Sequence, residues 1–172
     1  MSLKAFKTQV LPVKDKLYRF ALRMVRSEVE AEDIVQEVLI RVWNKKEDMA
    51  RLENVEAWCM RITKNLSLDR LKSSYVKRTD QLADGFDASI ENEVTPYRST
   101  EMKDTMKRVD KLIASLPEKQ RQVIQLRDME GYSYKEICDI MEIDMNQVKV
   151  NLFRARKTIK ENLVTINAYG LG

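Results

Sequence analysis

Three observations predict an all-α fold made of two small helical domains joined by a flexible acidic linker. Apolar residues recur at spacings of three and four over most of the chain, the period of one helix face. Only four glycines and three prolines occur in 172 residues, at Pro12, Gly85, Pro96, Pro117, Gly131, Gly170 and Gly172, between candidate helices or near their starts. One long stretch, from about Ser74 to Thr100, breaks the period and separates the two helical blocks. A 44% hydrophobic fraction supports a core, and 34% charged residues suit helices with one solvated face.

The N-terminal block runs from about Leu3 to Lys72. Phe6, Val10, Leu11, Leu17, Tyr18, Ala21, Leu22 and Val25 recur at helical spacing, with Pro12 marking a break or fresh start. Ser27-Glu28-Val29-Glu30 has capping-box form and opens a helix to about Trp43, whose inward stripe is Ala31, Ile34, Val35, Val38 and Val42. Asn54 caps a third helix, from about Val55 to Lys72. Between Thr79 and Asp104 there are seven acids and two bases, the composition of a solvated acidic linker. Helical periodicity resumes at Met102, Met106, Val109, Leu112 and Ile113. The next helix has Pro117 in its first turn and turns Val123, Ile124 and Leu126 inward.

The last third carries the most specific signal. Tyr132–Met141 reads as a short amphipathic helix, Glu142-Ile143-Asp144 as a tight turn, and Met145–Leu163 as a longer helix. That is a helix-turn-helix, whose second helix enters the DNA major groove. From Met145 to Lys160 the bases are Lys149, Arg154, Arg156, Lys157 and Lys160, with no acid among them. At 100° per residue Val148, Leu152, Ala155 and Ile159 share the inward face. Asn146, Val150, Phe153 and Lys157 lie opposite, flanked by Gln147, Lys149 and Arg154. Asp144 is placed to cap this helix. Asn146 suits an adenine edge, Val150 and Phe153 suit thymine methyls, and Lys149, Arg154 and Lys157 suit guanine edges or phosphates.

Net charge is +4 and the pI near 9.0, in keeping with an anionic partner. The absence of histidine removes the commonest general base and metal ligand. Cys59 and Cys138 are isolated, form no CxxC pair, and read as small core residues of a reducing cytosol. No metal, cofactor, small-molecule substrate or enzymatic activity is expected. No signal peptide or membrane span is legible, so the expected location is the cytoplasm.

Two motif sets resemble a known family. Leu116-Pro117-Glu118-Lys119-Gln120-Arg121-Gln122-Val123, followed by Gly131-Tyr132-Ser133-Tyr134-Lys135-Glu136-Ile137, resembles region four of bacterial sigma factors. Ala31-Glu32-Asp33-Ile34-Val35-Gln36-Glu37-Val38, Ala57-Trp58, Arg61-Ile62-Thr63-Lys64-Asn65-Leu66 and Leu68-Asp69-Arg70 resemble region two. Two such regions and a linker resemble the extracytoplasmic-function type. The resemblance implies region two over 1–73, a linker over 74–100, and region four over 101–172.

It further implies a specificity subunit that binds core RNA polymerase, through the β′ clamp helices and the β flap, together with promoter DNA and an anti-sigma factor. The implied polymerase face is Asp33, Gln36, Glu37 and Ile40. Implied contacts to the minus-ten region are Lys45, Lys46, Arg51, Arg61, Lys64 and Asn65. Trp58 reads as core, while Asn65 and Asp69 are either a buried polar pair or part of the DNA surface. The linker acids Asp80, Asp84, Asp87, Glu91 and Glu93 are expected to mimic nucleic acid in the polymerase cleft. Two departures stand out: Glu142 occupies a turn position that usually holds glycine, and Val150-Asn151 replaces the usual Ser and Arg. The alternative reading is a helix-turn-helix regulator without sigma activity.

Overall fold

The computed structural model describes residues 2–83 and 100–168, with side chains for all of these except 76, 78–83, 100–103 and 165–168. Every regular element among the described residues is helical: α1 (Leu3–Gln9), α2 (Lys14–Val25), α3 (Glu28–Asn44), α4 (Lys46–Met49), α5 (Val55–Ala83), α6 (Thr100–Ser115), α7 (Glu118–Ile124), α8 (Tyr134–Met141) and α9 (Met145–Ala168). They form two compact units, one carrying α1–α5 and the other most of α6–α9.

In the first unit α2, α3 and α5 pack on one another. Pro12 sits in a single 3₁₀ turn, Leu11–Val13, that separates α1 from α2. Arg26 ends α2 in the left-handed region at φ 54°, and the hydroxyl of Ser27 then accepts from the N–H of Glu30 at 3.3 Å to start α3. The core joins Leu17, Phe20, Ala21 and Met24 of α2 to Ala31, Ile34, Val35, Val38 and Val42 of α3, with Cys59, Met60 and Leu66 of α5. The expected stripe of α3 is thus buried in full. Each large side chain so removed from water contributes roughly 1.5–3 kcal/mol. Asn54 caps α5, accepting from the N–H of Ala57 at 2.9 Å.

α5 corrects one expectation. It does not stop near Lys72 but continues to Ala83, into the expected linker. The reason is local: after Leu71 the apolar period fades, yet no glycine or proline intervenes before Gly85. Lys77, Arg78, Gln81, Leu82 and Ala83 all carry good helix propensity. Asp80 therefore falls on α5, while Asp84, Asp87, Glu91 and Glu93 lie outside the described residues.

In the second unit α9 packs against α7 and α6. Pro117 occupies the position just before α7, where it donates no hydrogen bond that the helix needs. Beyond Ile124 the chain widens into one π turn, Gln125–Met129, before Gly131 turns at φ 79°. Val123, Ile124 and Leu126 are buried as expected, alongside Ile113, Leu116 and Tyr132. α8 begins at Tyr134 rather than Tyr132. Ser133 caps it by a reciprocal capping box, Ser133 N–H to Glu136 at 3.0 Å and Glu136 N–H to Ser133 Oγ at 3.1 Å.

Candidate nucleic-acid interface

The turn between α8 and α9 sets the direction of α9. Glu142 adopts φ 56° and ψ 45°, the left-handed conformation anticipated from the glycine it replaces. A side chain there costs on the order of 1 kcal/mol. Asp144 then caps α9, its Oδ1 accepting from the N–H of Gln147 at 2.8 Å. These two local devices aim the first turns of α9 outward.

Val148, Leu152 and Ala155 are buried, and Ile159 is only half-buried. Asn146, Gln147, Lys149, Val150, Phe153, Arg154 and Lys157 are all exposed. Phe153 keeps 69% and Val150 44% of their surface, an apolar ridge between cations. Leu152, Phe153, Lys149, Lys157 and Lys160 line part of a groove of about 890 Å³ along this helix. Lys157 also approaches Glu161 one turn on, at 4.0 Å.

Arg156 lines the same groove but is already engaged by a carboxylate. Its guanidinium donates to both carboxylate oxygens of Asp128, at 2.9 and 2.6 Å. That pairing holds the proton on Arg156 still more tightly than usual, since the hydrogen bond to Asp128 outweighs the opposing effect of burial. Arg127 in turn donates to the carbonyl of Tyr132 at 2.9 Å and sits 4.9 Å from the Tyr134 ring centre. The helix charge pattern gave no sign of this division among five bases; only the capping box at Ser133 and Glu136 was open to a closer reading.

In the first unit Asp33, Gln36 and Ile40 lie exposed along α3 and Glu37 is half-buried. Ile40 retains 60% of its surface. The two acids are not bare: Arg70 of α5 stands 3.9 Å from each, and Arg41 meets Glu37 at 2.7 Å. The segment after α3 is no plain loop. It holds α4, pinned by buried Met49, with Lys45 and Arg51 exposed. The Lys46 ammonium lies 4.2 Å from the centre of the Trp43 ring, and Phe6 meets that ring edge-on at 5.4 Å.

On α5 Arg61 is half-buried and Asn65 exposed. Lys64 is a correction: only 5% of its surface is accessible, so its ammonium is not presented to a phosphate. Lys64 follows Thr63 onto the inward side of α5, whereas Asn65 is turned out. Asn65 and Asp69 are both exposed, which removes the buried-pair reading. Trp58 and Cys138 are half-buried rather than fully core, while Cys59 is buried. No cluster among the described residues could hold a metal ion, and none of their helices is long and apolar enough to cross a membrane.

Two known family regions match the chain in order. Sigma-70 region 2 matches residues 10–75, and Sigma-70, region 4 matches residues 106–159. Similar proteins include the ECF RNA polymerase sigma factor SigW of Bacillus subtilis strain 168, 30% identical over 87% of this chain and 84% of that protein. The ECF RNA polymerase sigma-E factor of Escherichia coli K12 is 28% identical over 91% of this chain and 85% of its own length. Among solved structures, the sigma factor RpoE of Bartonella quintana, in complex with the anti-sigma factor NepR, superposes with a TM-score of 0.75. It is 28% identical and covers 94% of this chain and 98% of that one.

The fold and the two matched regions thus define a two-region transcription sigma factor. The chain belongs to the ECF RNA polymerase sigma factor family, and directs transcription initiation. A helix-turn-helix regulator without sigma activity is not favoured, because region 2 has no part to play in it.

Proposed function

We propose that this sigma factor grips one promoter through two separate surfaces while bound to core RNA polymerase. The observation that carries the reading is the order of the two matched regions, 10–75 and 106–159, in one chain. Its division of labour is region two over 1–73, linker over 74–100 and region four over 101–172. α9 enters the minus-thirty-five major groove. Lys149, Arg154 and Lys157 neutralise phosphates or meet guanine edges, while Asn146, Gln147, Val150 and Phe153 read bases. Arg156 takes no part, since Asp128 satisfies its fork.

Lys45, Arg51, Arg61 and Asn65 serve the minus-ten strand, and Lys46 acts through Trp43 by holding the segment that carries its neighbours. Opening the duplex costs ~1.4 kcal/mol per base-pair step in lost stacking, which strand and polymerase contacts must offset. The α3 face, with Ile40 at its centre and Asp33, Gln36 and Glu37 around it, meets the β′ clamp helices, and region four meets the β flap. The protein works in the cytoplasm, without catalysis of its own, and an anti-sigma factor masks it between signals. The anti-sigma partner of the Bartonella quintana relative supports that last step.

The test is competition for core polymerase. Ile40→Asp should weaken binding of the chain to core by about tenfold while its helical content and melting temperature stay unchanged. Unaltered affinity would remove α3 from the interface.

A further inference from the structure

The outward face of α5 runs on past the residues assigned to the minus-ten strand. At 100° per residue Arg61, Asn65, Leu68, Lys72 and Tyr75 fall within about 80° of one another. Asn65 and Lys72 are exposed, Arg61 and Leu68 half-buried, and Tyr75 keeps 73% of its surface in solvent. A lone exposed apolar residue is ordinary. Here the ring stands one turn beyond a lysine and in register with a basic, polar stripe, the combination by which proteins track a single strand.

We propose that Lys72 and Tyr75 extend the single-stranded DNA surface of α5, Lys72 meeting a phosphate and the Tyr75 ring stacking on an unpaired base. The inference rests on the minus-ten reading of Arg61 and Asn65. Roughly 21 Å of helix separates Arg61 from Tyr75 at 1.5 Å per residue. Asp69 is exposed too, but lies about 120° around the helix from Tyr75. Lys72 stands only about 60° from Asp69, so the phosphate it meets lies on its Tyr75 side, away from that carboxylate. Because Tyr75 contributes little to the core, its replacement leaves the fold intact.

The experiment uses the full chain bound to core polymerase and a fork-junction DNA, with 2-aminopurine placed at successive positions of the unpaired arm. Wild-type holoenzyme should quench one position. Tyr75→Ala should erase that quenching and weaken fork binding about tenfold. Tyr75→Phe should preserve both, and Lys72→Gln should lower the salt slope by about 0.7. On the fully paired version of the same DNA, Tyr75→Ala should change nothing, because no base is free to stack. The proposal is overturned if the alanine variant matches wild type on the fork, or if it loses equally on paired DNA. If Arg61 and Asn65 variants are impaired while those at Tyr75 and Lys72 are not, only this extension falls. If wild-type holoenzyme ignores the fork, the minus-ten reading itself falls and takes the extension with it.

Discussion

Asp128 holds Arg156 in a two-pronged hydrogen bond, at 2.6 and 2.9 Å, tying the middle of α9 to the π turn behind it. Five bases on one helix therefore do two different jobs. Arg156 ties the helix to that turn, and Lys149, Arg154, Lys157 and Lys160 stand exposed around it.

That division separates Arg156 from Lys157 in a salt titration. Lys157→Ala should weaken binding on any DNA and lower the slope of log K against log salt by about 0.9. Arg156→Gln should lower stability by roughly 0.5–1 kcal/mol, since both partners are partly exposed and the bidentate ion pair is lost. Its salt slope should remain that of the wild type. A slope reduced equally by both changes would mean that Arg156 reaches phosphate after all.

Asn146 offers a test of base reading. Asn146→Ala should relax preference at one base-pair position, at a cost of ~1–3 kcal/mol on the preferred sequence. Selection from a randomised minus-thirty-five library measures this directly. A uniform loss across all sequences would instead make Asn146 a phosphate contact.

Glu142 tests the turn. At φ 56° its side chain is strained where glycine is not, so Glu142→Gly should raise stability by about 0.5–1 kcal/mol, and Glu142→Val should lower it. Chemical denaturation of the two variants beside the wild type decides it. A destabilised glycine variant would show that the Glu142 side chain makes contacts outweighing the strain.

How much of this was legible in sequence divides along physical lines. Caps are local, so Ser27, Asn54 and Asp144 could be read from residue types a few positions apart, whereas the left-handed Glu142 followed only from the family resemblance. Helix faces were equally legible, because the inward stripe of α3 follows from periodicity alone. The misses depend on what a side chain meets across the fold. Nothing near Arg156 in sequence points to Asp128, nearly thirty residues earlier, and nothing near Lys64 announces its burial. The length of α5 was missed for the opposite reason. Its last turns carry helix-favouring residues but no apolar period in the sequence, and a period-based reading sees only faces.

The cysteines give a test that needs no DNA. Burial, and then the charge of Glu56, pushes the Cys59 thiol from an ordinary 9.0 up to about 12. Because the folded value is the higher one, the contribution of this thiol to stability is complete below pH 9 and fades as pH climbs toward 12. Cys59→Ala should flatten that alkaline decline. In native protein at neutral pH, a thiol reagent should modify half-buried Cys138 well before Cys59, and both together once the chain is unfolded. Equal native rates would contradict the burial.

The decisive measurement is transcription itself. Purified chain is added to core polymerase stripped of any sigma factor, with genomic DNA as template, and transcript starts are mapped. Discrete start sites sharing one pair of upstream elements at a fixed spacing are expected, absent with core alone and weakened with Ile40→Asp. A pattern of starts identical to that of core alone, from a chain that still binds DNA through α9, would contradict the account at its centre.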